Sequence, residues 1–477
     1  MALKPLVFVP GLPGTEMRDA ATGVQLFPNI FSLTSTTMRP KLLAQLSGPD
    51  DPDADDGVLA GAPIRSVIDS ALIRSSFIDF SGTLKQADSL YDLLIGLGYA
   101  ITDDSFGDRF RPVGWDWRRP VDQARVQRNV TAAITDLQRT TGAKVTVIAH
   151  STGGLVMRSL LQKQPDLADR IERLIAIGVP WAGTLQSLPP LAALSGFGPL
   201  TAEETQRVLG RSWAAFDLLP PDPAKTDMTD GEGPLGFFTD AHGPASPLVS
   251  TGWIPPGQGF DALRQRAASA DQRLGRRDRK LSPAALEVVN IAGWGASTLT
   301  GFRLDAGGGL TPSSSEEGDG TIPRRSVAWL QGDRLTTFLV PIGHTPLSQI
   351  TDVHITLWEN PAVRDLLGAL LAGHSRPPYV YAAADPDDAV NVFGDAIRVR
   401  AVALDERGKA LPGATLDAAG LRLSLGADGR GTLPVPRARI TQQVTGDLFR
   451  LPVQFHWQGP GGPQSSAPQV LQVRKTG

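Results

Sequence analysis

The sequence predicts an α/β fold: a doubly wound, mostly parallel sheet with an inserted cap or lid, followed by a C-terminal all-β sandwich. Two observations carry this prediction. Short apolar strands alternate with helical patterns up to about residue 370, which is typical of a parallel sheet covered on both faces. Beyond residue 380 the apolar residues recur with period two, as at Ile397, Val399 and Ala401, with turn residues between the runs. The length of 477 residues also favours two domains.

Composition shifts predict the domain boundaries. Residues 1–374 are predicted to form the α/β domain, 375–379 a linker that contains Pro377-Pro378, and 380–477 an immunoglobulin-like β-sandwich. Residues 185–280 break the strand–helix alternation with a long stretch rich in Pro, Gly and aromatic residues, which indicates a cap or lid. The acidic, turn-rich residues 47–63 are expected to form a solvated excursion.

Charge and composition exclude several classes of function. The net charge of −3 argues against nucleic acid as a partner, and the absence of cysteine excludes disulfides and thiolate chemistry. No metal or organic cofactor is implied. The start of the chain leads directly into the strand-like Leu6–Val9, with no visible signal peptide, and no apolar run of about 20 residues is present. We therefore expect a cytoplasmic protein without a transmembrane segment, with peripheral membrane contact or non-classical export as alternatives.

The most informative stretch runs from Val145 to Val156 and contains Ser151. A β-branched run ends in small residues around this serine, and an apolar segment with helical spacing follows. This arrangement of strand, tight turn and helix is typical of a nucleophile elbow, which presents a serine Oγ at the carboxyl end of a sheet. Ala149 replaces the first glycine of the usual Gly-x-Ser-x-Gly pattern. The alternative is a serine that only caps a helix.

A serine nucleophile needs a histidine base, and the chain has six histidines. His150 adjoins the serine and is expected to pack at the elbow. His344 follows the predicted strand Leu335–Val340 in a loop, where this fold presents its base, and is the predicted base. His354 lies ten residues later and is expected to pack in or cap a helix; it is the alternative candidate for the base.

The acid of a triad should lie between the serine and the histidine in the chain. Asp319 is the predicted acid because it lies between two glycines in a loop where its carboxylate can turn inward. Asp305, Glu316 and Glu317 are alternatives, and a solvated acidic loop is the non-functional reading of this segment.

Two backbone N–H groups should hold the oxyanion. Thr152 supplies one as the residue after the nucleophile. The loop after the first strand should supply the other, and Pro13 has no N–H, so Leu12 is the predicted donor.

Six segments in order resemble the lecithin:cholesterol acyltransferase (LCAT)-like family, which includes lysosomal phospholipase A2 and phospholipid:diacylglycerol acyltransferases. These segments are Val9–Leu12 with Gly14, Trp115–Arg118, Ala149–Gly154, Pro180–Gly183, Gly318–Pro323 and Gly343-His344. The resemblance implies an α/β-hydrolase fold with a cap and lid that acts on ester bonds of lipids. It also supports Leu12 as oxyanion donor and the triad Ser151, Asp319, His344. The sequence lacks the lid disulfide and the signal sequence of animal or secreted members.

Four residues are predicted to support the site: Trp115, Asp116, Arg118 and Trp181. For the Trp115–Arg118 segment we expect a buried Asp–Arg pair that braces the loop beside the elbow, rather than substrate contact.

The predicted function is a serine acyl hydrolase or acyltransferase that acts on lipid esters. The substrate is a lipid or another ester, either at a membrane surface or in solution. A carboxylesterase for smaller esters and a non-catalytic binding protein on a hydrolase scaffold are the alternatives. The sequence names no protein partner for the β-domain.

Overall fold

The computed structural model describes most of the chain. The described residues are 3–28, 35–49, 51–64, 87–102, 105–187, 200–220, 270, 273–275, 278–281, 283, 286–294, 296–304, 310–330, 334–341, 354–355, 357–372, 379–384, 396–404, 410–445, 448–459, 461–466 and 469–474. Most of the predicted lid, the predicted linker up to residue 378, and the residues His344 and Asp305 lie outside these ranges.

A six-stranded, wholly parallel sheet forms the centre of the α/β domain. Its strands follow the spatial order β11-β8-β7-β6-β1-β5. They are β1 (Leu6–Val9), β5 (Phe110–Pro112), β6 (Val145–His150), β7 (Ile171–Ile177), β8 (Glu287–Trp294) and β11 (Leu335–Pro341). The chain reverses its direction of strand addition at β1, whose neighbours are β5 and β6. Loops at the carboxyl end of such a switch point are the usual ligand site of an open parallel sheet.

Two apolar cores cover the two faces of this sheet. Because side chains alternate along a strand, Val7 and Val9 of β1 enter one core, whereas Leu6 and Phe8 enter the other. The helices of the first core are α3 (Ala124–Thr141) and α4 (Thr152–Lys163). The second core contains α2 (Asp88–Gly96) and α8 (Pro361–Ala372). The predicted doubly wound parallel sheet is therefore confirmed.

Smaller elements surround the central sheet. An antiparallel sheet of order β3-β2-β4 contains β2 (Thr15–Asp19), β3 (Gln25–Phe27) and β4 (Val58–Pro63), and β9 (Ala296–Leu304) pairs with β10 (Leu310–Gly318). The short helices are α1 (Arg39–Leu46), α5 (Ala202–Leu209), α6 (Trp213–Asp217) and α7 (Arg324–Val327). The expectation of a solvated excursion over residues 47–63 is wrong, because β4 pairs with β2 and Ser47 and Val58 are buried.

Two antiparallel sheets form the C-terminal part, as predicted for a β-sandwich. One sheet has the order β12-β13-β16, and the other has β15-β14-β18-β17, with β19 and β20 also on β18. Their bounds are β12 (Tyr379–Ala384), β13 (Ala396–Leu404), β14 (Thr415–Ala418), β15 (Leu421–Ser424), β16 (Arg430–Pro436), β17 (Gln442–Thr445), β18 (Leu448–Gly459), β19 (Gly462–Ser465) and β20 (Gln469–Arg474). Inward-facing residues of both sheets, such as Val399 and Phe455, share one buried cluster.

Within the described part of the chain, each helix is either too short or too polar to cross a bilayer.

Candidate active site

Ser151 lies at a sharp turn between β6 and α4. Its φ of 51° and ψ of −128° fall in a region that a non-glycine residue rarely adopts. The Ser151 N–H donates to the Ile177 carbonyl of the neighbouring strand over 2.9 Å, which holds the turn against the sheet. Backbone strain of this kind is typical of functional sites, and it is the conformation that a nucleophile elbow requires.

The small residues around Ser151 make room for the elbow. A Cβ added to Gly153 would meet the carbonyl oxygens of Val9 and Pro10, the latter at 2.6 Å, so α4 can begin against the end of β1 only without a side chain there. A Cβ on Gly11 would lie 2.6 Å from Ser151 Cβ and 3.2 Å from its Oγ. The loop after β1 therefore passes directly over the serine.

This loop contains the predicted oxyanion donor Leu12. Residues 11–14 form a tight turn in which the Gly14 N–H donates to the Gly11 carbonyl over 2.7 Å. Leu12 lies in the middle of the turn and packs its side chain against the first core. Thr152, the other predicted donor, is the first residue of α4, where a backbone N–H has no partner inside the helix. The fold thus brings both predicted donors to the turn that bears Ser151.

Trp115 ties a second segment to this loop. Its indole Nε1 donates to the Pro10 carbonyl over 2.8 Å, and its backbone N–H donates to Thr15 Oγ1 over 3.1 Å. Trp117 Nε1 donates to the Thr15 carbonyl over 3.3 Å. The two tryptophans therefore hold both ends of the turn that carries Leu12.

Asp116 and Arg118 form the buried pair that the sequence predicted. Arg118 Nε and Nη2 donate to the two oxygens of Asp116 over 2.9 and 2.8 Å. Asp56, from the acidic segment, accepts from Arg118 and Arg119 over 2.6 to 3.2 Å. Burial alone raises the pKa of Asp56, but the hydrogen bonds and charge of Arg118 outweigh this, and the net pKa is lowered. The acidic segment thus neutralises two buried arginines, which composition alone did not indicate.

The most telling contact joins Asp319 to His354. The imidazole Nδ1 and Asp319 Oδ2 lie 2.7 Å apart, and both side chains are buried. The other carboxylate oxygen, Oδ1, accepts the backbone N–H groups of Thr321 and Ile322 over 3.1 and 2.7 Å. These three contacts fix the carboxylate with one oxygen directed at an imidazole, which is the relation of acid to base in a catalytic triad.

The predicted base, His344, lies outside the described residues. The expectation that His354 only packs in or caps a helix is wrong, because His354 lies in a turn before the 3-10 turn Leu357–Glu359 and its ring is bound to Asp319. Both histidines come after β11 in the chain, and no local sequence pattern indicates which of them lies next to Asp319. The apolar residues around His354, such as Ile355, were the available signal that it is buried.

His150 packs at the elbow, as expected, and contacts His354 directly. Its Nε2 lies 3.0 Å from the His354 carbonyl oxygen, and the centroids of the two rings are 4.8 Å apart. Trp358 meets the His150 ring edge-on at 4.6 Å. Burial lowers the pKa of His150 well below its usual 6.5, and His354 lowers it further, so this imidazole is neutral at physiological pH.

Two side chains that follow β7 and one within β8 hold the loop of Asp319. Trp181 Nε1 donates to Asn290 Oδ1 over 2.9 Å, and Asn290 Nδ2 donates to the Val327 carbonyl over 2.6 Å. Thr184 Oγ1 donates to the Thr321 carbonyl over 2.6 Å. Trp181 therefore supports the acid loop through Asn290, a buried residue that the sequence did not single out.

Ser151 and His354 line one open recess at the carboxyl end of the sheet, together with Gly11 and Leu12. Its other walls are mainly apolar and include Phe8, Ile64, Ile355 and Trp358. Among the described residues, no group of three His, Asp or Glu is placed to hold a metal ion. The arrangement places a serine hydroxyl, an imidazole held by a carboxylate, and backbone N–H groups beside an apolar surface.

The chain is similar in sequence to known proteins. A model of the lecithin:cholesterol acyltransferase family matches residues 84–235. Lysosomal phospholipase A and acyltransferase of Rattus norvegicus is 30% identical over 141 residues, which cover 28% of this chain and 32% of that protein. Human phosphatidylcholine-sterol acyltransferase is 24% identical over 347 residues, which cover 68% of this chain and 72% of that protein. The chain is similar to the LCAT-like family.

The rat match spans about a third of the length of that LCAT-like relative. Among solved structures, the Tle4–Tli4 complex covers 71% of the chain and 92% of its own, with a TM-score of 0.41 and 13% identity. The mature lipase BlEst2 of Bacillus licheniformis covers 77% and 92%, with a TM-score of 0.30 and 13% identity.

Proposed function

We propose that this LCAT-like protein is a serine-dependent lipid acyl hydrolase that also transfers acyl groups to alcohols. Ser151 is the nucleophile, His354 the base and Asp319 the acid that orients it. The backbone N–H groups of Leu12 and Thr152 hold the oxyanion. The observation that carries this proposal is the 2.7 Å contact of Asp319 with His354, in the recess that Ser151 also lines.

The reaction follows from these roles. His354 Nε2 takes the Ser151 Oγ proton as Oγ attacks the ester carbonyl, and the two N–H groups stabilise the negative charge on the carbonyl oxygen. The C–O bond to the alcohol breaks, the alcohol takes the proton from His354, and an acyl-Ser151 ester remains. Water or a second alcohol then loses a proton to His354 and attacks this ester. A carboxylic acid or a new ester leaves, and Ser151 regains its proton.

The names of the relatives support lipid esters as the substrate class, because both name phospholipase or acyltransferase activity. The apolar walls of the recess, including Phe8 and Trp358, fit the same class, since an acyl chain needs a non-polar surface next to the reacting carbonyl.

Phosphatidylcholine vesicles test the proposal, with and without a long-chain alcohol. We expect fatty acid release in the first case and additional fatty ester in the second, and Ser151→Ala should abolish both. Ser424→Ala, which changes an exposed serine of β15, is the matched control and should behave as the wild type. Turnover of a soluble short-chain ester but of no vesicle lipid would instead favour a carboxylesterase.

A further inference from the structure

His150 links the two reacting side chains of the proposed mechanism. It is the last residue of β6, covalently next to Ser151, and it pairs with Ile177 of β7. Its ring reaches across to the main chain of His354, with 3.0 Å between Nε2 and the carbonyl oxygen. A central strand is the most firmly held part of the domain. One residue of that strand is therefore joined to the nucleophile by a peptide bond and to the base by a hydrogen bond.

The contact also defines the proton on His150. A carbonyl oxygen only accepts, so Nε2 carries the hydrogen, and a neutral imidazole then has an unprotonated Nδ1. The ring is only 6% exposed and is wedged between the rings of His354 and Trp358. A neutral ring suits this place, because His354 becomes positively charged when it takes the proton from Ser151. A charged His150 ring 4.8 Å away would oppose that step.

We infer that His150 is a positioning residue: its Nε2–H donates to the His354 carbonyl and its ring packs at a tilt against the His354 imidazole, which holds the base where Ser151 can use it. This inference rests on the proposed function. Asp319 fixes the far side of the same ring through Nδ1, so the base is held by its carboxylate partner and by the strand that bears the nucleophile. The described residues that face His150 with a titratable or charged group are His354 and, beyond it, Asp319; Gly11 and Trp358 are uncharged.

Two substitutions separate the hydrogen bond from the ring. His150→Phe keeps an aromatic ring but removes the donor, whereas His150→Gln keeps an N–H donor at a similar reach. We expect kcat of His150→Phe to fall by up to about 10²-fold with KM within about twofold, because a misplaced base slows the reaction without changing substrate contacts. The labelling rate with a fluorophosphonate should fall by the same factor, and His150→Gln should recover most of the loss. His456→Phe, on β18 of the C-terminal part, is the matched control.

A folded His150→Phe with kcat within twofold of the wild type would overturn the inference. If that variant does not fold, nitrogen-15 NMR of the histidines in the wild-type protein decides. His150 should show a protonated Nε2 and a bare Nδ1 at neutral pH, whereas the opposite tautomer would contradict the inference. If Ser151→Ala and His354→Ala lose activity while His150→Phe keeps the kcat of the wild type, this inference alone is refuted. Full activity in Ser151→Ala would refute the proposed function itself.

Discussion

At the scale of single residues, the candidate site needs small residues beside its reactive side chains as much as it needs the side chains themselves. Ser151 takes a backbone conformation with positive φ, and its Oγ is reached because Gly11 presents no side chain above it. Gly178, at a φ of 56°, leaves space for His354 in the same way, because a Cβ there would lie 2.8 Å from His354 Cε1. The proposed nucleophile and the proposed base are thus each faced by a glycine, and a larger residue at either position would displace its neighbours.

Gly11→Ala tests this requirement. The added methyl group would lie 2.6 Å from Ser151 Cβ, so either the serine or the loop with Leu12 must move. We expect kcat/KM for ester hydrolysis to fall by about 10²-fold or more, because a shift of about 1 Å in the reacting groups has that effect. Gly96→Ala, where nothing lies within 4 Å of the new Cβ, should retain wild-type activity. Equal activity of the two variants would contradict the proposed position of the loop.

The base is tested by comparing three histidines. His354→Ala should lower the rate by at least about 10³-fold, since Ser151 then lacks its base, and His344→Ala should keep most of the activity. His456→Ala is the control for a histidine of the C-terminal part. Steady-state kinetics on one soluble ester, with thermal unfolding to verify folding, decides the matter. An inactive His344→Ala beside an active His354→Ala would restore His344 as the base.

At the scale of elements, the loops after the parallel strands carry the site, and a few strong contacts join the surrounding helices. Arg39 of α1 and Glu204 of α5 form a bidentate pair, with 2.6 Å from Nε to Oε1 and 2.5 Å from Nη2 to Oε2. The hydrogen bond from Arg39 is the main reason that the pKa of Glu204 is lowered to about 2, from an ordinary value of 4.5. This pair therefore joins the start of the chain to a helix of the predicted lid.

The pair predicts a pH dependence. Because the pKa of Glu204 is lower in the folded state, its contribution to stability is complete above pH 4.5 and is lost as the pH falls towards about 2. Glu204→Gln should be less stable than the wild type at pH 6, by about 1 kcal/mol for a pair that water partly screens, and the difference should shrink between pH 4.5 and 2. Urea unfolding at several pH values measures this. Asp92→Asn, at an exposed position of α2, should show no comparable change, and a pH-independent gap for Glu204→Gln would contradict the assignment.

The elements that the sequence predicted well are those with strong local patterns. Leu6–Val9 and Ile171–Ile177 appear as strands, and Ser151 lies at the expected turn. The prediction of a solvated segment at residues 47–63 is wrong. Asp56 of this segment binds Arg118 and Arg119, which lie more than 60 positions away in the sequence. The place of His354 depends on a return of the chain to Asp319 that no local pattern encodes. Contacts between residues far apart in the chain thus could not be predicted from the sequence.

At the scale of the whole molecule, the chain combines an LCAT-like α/β part with a β-sandwich that has its own core. Among the described residues, the buried cluster of the sandwich draws its members only from positions 397–457. The residues proposed for catalysis all lie before position 360. A separate domain at 380–477, joined by a linker at 375–379, remains a prediction, as does a cytoplasmic location.

A chain of residues 1–374 tests the domain prediction. It should fold and hydrolyse a soluble short-chain ester at the wild-type rate, because neither the central sheet nor the proposed catalytic residues belong to the sandwich. Activity on vesicles is the second readout, and its selective loss would assign the sandwich a role in reaching aggregated substrate. An insoluble product, or a soluble one without activity on the short ester, would show that the sandwich is part of the structure of the hydrolase.

The central claim is that Ser151 is an activated nucleophile, and the site of covalent labelling tests it most directly. After reaction of the intact protein with a fluorophosphonate, peptide mapping by mass spectrometry should find a single adduct, on Ser151. Ser151→Ala should carry no adduct, and its rate of ester hydrolysis should fall by several orders of magnitude. An adduct on another serine of the wild type, or a Ser151→Ala protein that keeps a tenth of the wild-type rate, would contradict the account.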